Sequence, residues 1–288
     1  MLSVSQNFSY KTALESVCDL KRRFAFADFT ALGRTWCSRA VLGMSLGTGS
    51  EAVLFAGGIN GQDVLSAEIL FKFFERLCRA YQNDLKISAI KTRNALRERK
   101  IIVIPLINPD GAEIARRGAE GAGCYRGLVS RAANGDYSQW SANARGVDIS
   151  KNFDYRFQSE SENTYPSPRG YKGPSPESEP ETKAVASLCA NESFKHIILV
   201  SQSGEKIYYN QNEKSSDTAM MAQILKSVCN YGLSKKTEEQ KTGGMCEWFT
   251  KEYKKPSFEI AVGKPEAEES VSDIYGKIEE LLMLSAIT

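Results

Sequence analysis

The run I-I-V-I-P-L-I-N, residues 101–108, most tightly constrains how this 288-residue chain can fold. A strand without polar alternation has no face suited to water, so the sheet that contains it must be covered on both sides. A second such run, V-L-F-A at 53–56, ends in Gly57-Gly58 and leads into a helical pattern over 64–81. There Leu65, Ile69, Leu70, Phe73, Phe74 and Leu77 share one face. The buried strand here is expected over 52–58. Residues 10–23 also carry apolar positions at helical spacing, and strands are expected near 27–33 and 36–46. Further along, Glu179–Asn191 and 215–231 read as helices, 196–202 and Pro256–Val262 as strands, and 267–286 as a closing helix. The segments 117–145 and 158–178, rich in small residues, Ser and Pro, read as long loops. Strands alternating with helices predict an α/β fold with a parallel or mixed sheet between two helical layers. No internal repeat or linker-like stretch divides the chain, so a single domain over 1–288 is expected.

Composition excludes several functions. A formal net charge of +2 leaves no dominant basic face for nucleic acid. The densest basic stretch, Lys91–Lys100, is short, precedes an apolar run and reads as a solvated turn or helix end. No apolar run approaches the ~18 residues of a membrane span. The N-terminal residues lack a basic start followed by an apolar stretch, so no secretory signal is read and a cytoplasmic location is expected. Seven cysteines without paired spacing fit reduced thiols.

Five segments lie just after strands or at strand ends, where sheets of this kind bind ligands. They are G-G-I-N-G-Q-D (57–63), I-P-L-I-N-P-D-G (104–111), R-G-V-D-I-S-K-N-F (145–153), Y-K-G-P-S-P-E-S-E-P-E-T (171–182) and P-S-F-E-I-A-V-G (256–263). In this order they resemble the zinc carboxypeptidase family, whose corresponding motifs read G-G-I-H-x-x-E, V-P-x-x-N-P-D-G, G-V-D-L-N-R-N-F, Y-x-G-P-x-P-x-S-E-P-E-T and F-T-I-E-V-G. The resemblance runs from about residue 8 to residue 285. The stretches W-S-A-N-A-R-G-V-D (140–148) and G-G-M-C-E-W-F (243–249) look most like the bacterial branch that cleaves γ-D-glutamyl-diaminopimelate bonds. The resemblance implies a three-layer α/β/α, phosphorylase/hydrolase-like fold with a mixed, mostly eight-stranded sheet.

It also implies a zinc site, and there the chain departs from the family. The positions of the two family His ligands and the Glu ligand are Asn60, Gln202 and Asp63. Amide oxygens are poor zinc ligands, so no metal or other cofactor is expected. The family's general base falls on Ala261, which cannot move a proton. The family's carboxylate-clamping Asn-Arg pair falls on Ser150-Lys151, and Lys offers a point charge where Arg offers a fork. The oxyanion-stabilising Arg falls on Ser141, with Arg145 as an alternative; the mobile Tyr falls near Thr250.

The implied function is a carboxypeptidase-like protein that has lost hydrolysis and retains a cleft for peptides, including cell-wall muropeptides. The alternatives are an active peptidase with a remodelled site built from Asp63, Glu259 and His196, or a regulatory subunit with an empty cleft. Each residue also has a plainer reading. Asp63 suits a helix N-cap. Glu259, on the same strand face as Ala261, suits an ion pair. His196, the single histidine, suits a partly buried strand start. Cys124, Cys246, Ser201 and Ser203 fall near the expected cleft, but a nucleophile there needs a base that one histidine hardly supplies.

Overall fold

A computed structural model describes residues 8–159, 163–202, 204–210, 216–263 and 269–288. The chain opens with α1 (Tyr10–Arg23), β1 (Asp28–Arg34), β2 (Ala40–Leu46), β3 (Glu51–Ala56) and α2 (Val64–Gln82). A small ribbon, β4 (Lys86–Ile87) and β5 (Ile90–Lys91), precedes α3 (Thr92–Glu98), β6 (Arg99–Ile104), α4 (Pro109–Arg117) and α5 (Arg126–Ala133). After a long irregular stretch come α6 (Pro180–Asn191), β7 (Phe194–Gln202), β8 (Lys206–Asn210), α7 (Ser216–Ser227) and β9 (Gly232–Ser234). The chain ends with α8 (Glu238–Lys241), α9 (Met245–Tyr253), β10 (Ser257–Val262) and α10 (Val271–Ser285).

Eight strands form one mixed sheet in the order β1-β2-β6-β3-β7-β10-β8-β9. Its centre, β6-β3-β7-β10, is parallel throughout. Successive side chains of these strands enter two separate cores, which is why the strands carry no polar alternation. Val53, Phe55, Ile101, Val103, Ile198, Val200 and Ile260 pack with residues of α1, α2, α7 and α10. Leu54, Ala56, Ile102, Ile104, Ile197 and Leu199 pack on the opposite face, against Val185 and Cys189 of α6 and Trp248 and Phe249 of α9. Among the described residues no helix is long and apolar enough to cross a membrane.

Several boundaries differ from the sequence expectations. Residues 36–39 are a turn, not strand: Ser38 has φ 62°, and Asp110 accepts hydrogen bonds from Thr35 Oγ1, Cys37 N and Arg39 Nη1. The apolar run ends its strand at Ile104, because Ile107 N and Asn108 N instead donate to the carbonyls of Gly57 and Gly58. For the same reason β3 stops at Ala56. The expected loop 117–145 contains a 3₁₀ segment, Gly118–Tyr125, and α5. The basic stretch 91–100 is mostly α3, and its charges have partners such as Glu51 for Arg99 and Glu192 for Lys100. The closing helix begins at Val271; part of its expected start, 264–268, lies outside the described residues.

Candidate functional site

The carboxyl ends of β3, β7 and β10 lie side by side in the sheet, so the segments that follow or finish them converge. They surround a cavity of about 200 Å³ lined by Asn60, Ser150, Lys151, Gln202, Glu259 and Ala261, together with Ser201, Tyr208, Lys236 and Met245. Six of the residues aligned with the family's site or beside its base position therefore share one concavity, with Ser201 next to them. A seventh, Asp63, is 2 % exposed and accepts a hydrogen bond from Gln202 N at 3.1 Å.

The turn holding Asn60 is set by close backbone packing. Gly58 has φ 59°, and a Cβ there would meet Leu106 Cδ1 at 2.6 Å. A Cβ on Gly61 would meet the Gly111 carbonyl at 2.6 Å, so neither position admits a side chain. Asn108 ties the turn down: its amide donates to the Ile59 and Ser141 carbonyls, and its oxygen accepts from Gly111 N and caps α4. The N-P-D-G motif thus serves the architecture around the cavity. Asp63 caps α2 through Ser66 N at 3.1 Å while its other oxygen takes Gln202 N. Burial pushes the Asp63 carboxyl up to about 6, hydrogen bonds from Ser66 and Gln202 offset part of this, and Glu259 adds repulsion.

The wall carrying Ser150 and Lys151 is a single 3₁₀ turn, Ile149–Lys151, capped by Asp148. Asp148 accepts from Ser150 N and Oγ and from Gly170 N. Gly243 packs against it. A Cβ on Gly243 would lie 1.9 Å from the Lys151 carbonyl oxygen, and Gly243 has φ 67°.

Lys236, which the sequence reading did not single out, is the charged centre of the cavity floor. Its Nζ lies 2.5 Å from Glu259 Oε2 and 3.2 Å from Glu247 Oε1. Ser201 Oγ donates to Glu259 Oε1 at 2.7 Å, and Asn210 Nδ2 donates to Glu247 Oε1 at 3.1 Å. Both oxygens of Glu259 are engaged, as expected of an ion-paired carboxylate. The signal in the sequence was Glu247 itself: a carboxylate between Cys246 and Trp248 in an apolar helix demands a cation.

Other candidates lie elsewhere. Arg145 does not line the cavity; its guanidinium stacks 4.8 Å over Trp36 and pairs with Glu179. Ser141 is buried behind the Asn60 turn, where its carbonyl accepts from Gly61 N. Its hydroxyl does not line the cavity. His196 sits six residues before Gln202, near the start of β7, about 20 Å along an extended strand from the cavity end. It is 1 % exposed, its Nε2 lies 2.7 Å from the Ser285 carbonyl, and burial drives its pKa down to about 4. Cys246 is buried in α9, and Cys124 lies exposed in the 3₁₀ segment; neither lines the cavity. Thr250 Oγ1 hydrogen-bonds Ser257 Oγ at 2.7 Å and does not line the cavity. Ser203 lies outside the described residues.

The family model for zinc carboxypeptidases matches residues 22–267. The chain belongs to the zinc carboxypeptidase family. It is 21% identical to gamma-D-glutamyl-L-diamino acid endopeptidase 1 of Lysinibacillus sphaericus over 268 residues, 91% of this chain and 67% of that protein. It is 23% identical to the uncharacterized protein YqgT of Bacillus subtilis, over 90% of this chain and 72% of that one. Thrombin-activatable fibrinolysis inhibitor shares the fold with a TM-score of 0.79 at 17% identity, covering 96% of this chain and 73% of that one. Murein-tripeptide amidase MpaA of Escherichia coli O157 shares it with a TM-score of 0.55 at 16% identity, covering 89% of both chains.

The family's zinc does not fit the donors at its expected site. Asn60 and Gln202 present amides, and the carboxylate of Asp63 is occupied by two backbone N–H groups. Among the described residues no group of three or more His, Cys, Asp and Glu side chains is placed to hold a metal ion.

Proposed function

We propose that this member of the zinc carboxypeptidase family binds peptides without hydrolysing them, and that its ligands are carboxylate-bearing peptides of the cell-wall stem type. One observation carries the reading: Asn60, Asp63, Gln202 and Ala261, which the sequence motifs align with the family's ligand and base positions, stand together in or against one cavity. Loss of the base alone removes a contribution typically worth about 10²–10⁴-fold. Lys151 still lines the cavity and supplies a cation for a carboxylate, on a turn that Ser150 ties to Asp148. The printed activity of the Lysinibacillus relative, on gamma-D-glutamyl-L-diamino acid bonds, supports the choice of peptide. The seven free cysteines suit a reducing compartment, so we place the protein in the cytoplasm, among turnover products of such peptides.

The test is elemental analysis of untagged protein purified without chelator, alongside assays on C-terminal residues and γ-D-glutamyl-diaminopimelate peptides. Zinc well below one per chain, with no turnover above buffer, is expected. Stoichiometric zinc between Asn60, Asp63 and Gln202 would overturn the reading. Turnover abolished by Glu259→Ala would favour a remodelled enzyme instead.

A further inference from the structure

A second cavity, of about 410 Å³, lies beside the first, and Lys236 lines both. Five of its lining residues are lysines, Lys235, Lys236, Lys241, Lys251 and Lys254, and among the described residues Glu247 is the one acid that lines it with them. The neighbouring carboxylates do not use up these ammoniums. Lys236 is held by Glu247 and Glu259, and Lys241 by Glu238 at 2.7 Å. Asp154 comes only within 3.9 Å of Lys251, and Lys254 donates to the Lys251 carbonyl. Lys235 is exposed and has no partner among the described residues. Glu247 is 3 % exposed and paired with Lys236, so its charge is not presented to the open side. Lys254 closes α9 with φ 57°, a left-handed cap position where Gly or Asn is usual, and brings an ammonium to the rim. The rings of Tyr155 and Tyr209 complete the lining.

We propose that this second cavity is a site for a phosphate-bearing small molecule, its phosphate held by Lys235, Lys251 and Lys254 and its organic body resting on Tyr155 and Tyr209. The site is separate from the peptide cavity and does not depend on the preceding reading. The three ammoniums come from different segments: Lys235 from the stretch between β9 and α8, Lys251 from α9, and Lys254 from the turn that ends it. Each is a point charge on a flexible stem, so all three can close on one group that carries several acceptor oxygens. No arginine fork lines the cavity among the described residues, which disfavours planar, bidentate capture of a carboxylate and leaves phosphate as the better match for lysine. The volume falls in the roughly 300–1,000 Å³ range of small-molecule sites, and a bare phosphate ion would leave most of it unfilled.

Phenyl phosphate, inorganic phosphate and phenylacetate, titrated into the full chain and followed by chemical shifts and calorimetry, test the site. Phenyl phosphate should bind most tightly of the three, shift the resonances of Tyr155 and Tyr209, and bind more weakly as salt rises. The double variant Lys235→Gln, Lys254→Asn removes two exposed ammoniums, and Asn suits the left-handed cap, so the fold is kept. Its affinity for phenyl phosphate should be about five- to thirtyfold lower, the scale of two partly exposed charge contacts. No saturable binding to the wild type, or equal affinity in the variant, overturns the proposal. Equal affinity for phenyl phosphate and inorganic phosphate overturns the organic body and leaves a site for free phosphate. Phenylacetate binding as tightly as phenyl phosphate, or a triglutamate peptide binding more tightly, overturns the phosphate. Shift changes centred on Ser150 and Lys151 would put the anion in the peptide cavity and overturn the second site.

Discussion

Lys151 presents a point charge at the rim, half-buried, on a turn whose geometry Asp148 holds. Lys151→Ala should weaken binding of a carboxylate-terminated peptide about three- to tenfold, the scale of a partly exposed charge contact. Titration calorimetry at rising salt should show the wild type converging on the variant, because exposed charges are screened. Asp63 takes two backbone N–H donors with its two oxygens. Asp63→Asn must turn an NH₂ group toward one of them, so a loss of about 1–2 kcal/mol is expected in urea unfolding. A variant as stable as the wild type would mean that one of those bonds contributes nothing. His196 is buried neutral, with its pKa moved down to about 4 from 6.5. The unfolded state then binds the extra proton first, so stability from this residue is complete above about pH 6.5 and falls as pH drops toward 4. The loss is on the order of 3 kcal/mol at most. Denaturant titrations at pH 7, 5 and 4 read it directly, and His196→Gln should flatten the decline.

At the scale of elements, glycine backbones decide how the walls meet. Gly243 brings the segment before α9 against the Lys151 carbonyl, closer than any side chain allows. Gly243→Ala combines that overlap with a left-handed φ, so destabilisation above about 1 kcal/mol is expected. Peptide affinity should fall as well, because the Lys151 turn must move. An unchanged melting temperature in Gly243→Ala would show that the two segments are not held together. The same elements explain what the sequence made legible. Runs such as I-I-V-I and V-L-F-A announce strands covered on both faces, and N-P-D-G and G-G-I-N are short-range turn chemistry, readable from neighbours alone. The partnership of Lys236 with Glu247 and Glu259 is different: it joins a loop, a helix and a strand at spacings with no periodicity. Short pieces such as β8 and β9 were missed because their polar residues mask the alternation.

For the whole molecule, buried acids should shape the response to pH. Glu181 is fully buried beside Asp110 and Glu179, and desolvation followed by those charges lifts its pKa to about 8. Its folded pKa thus exceeds the unfolded one, so the contribution present below about pH 4.5 is lost as pH rises toward 8. Asp63 acts in the same direction over a lower range. Between about pH 4.5 and 6 the losses from Glu181 and Asp63 together exceed the gain from His196, so these three groups place the stability maximum near pH 4–4.5. Glu181→Gln should lift the alkaline side of the curve by on the order of 1 kcal/mol or more and leave the acidic side alone; melting curves between pH 5 and 9 would test this. The eight-stranded arrangement was foreseeable as a whole because motifs matching one family recur in order along nearly the entire chain. The positions of Ser141 and Arg145 were not, because both lie in a stretch of small residues whose path is set by tertiary contacts with Gly61 and Trp36.

On the proposed reading, in which no zinc is held, the double duty of Asp63 makes a metal site hard to build here. Placing histidines at 60 and 202 would supply nitrogen donors, yet the carboxylate of Asp63 belongs to the start of a helix and the end of a strand. Lengthening it to glutamate to reach an ion would unhook both. The triple replacement Asn60→His, Asp63→Glu and Gln202→His should therefore fold less stably than the present protein and capture zinc weakly, unless further changes first take over the cap. Each structural use of a carboxylate at such a position would then work as a ratchet, closing one path to hydrolysis.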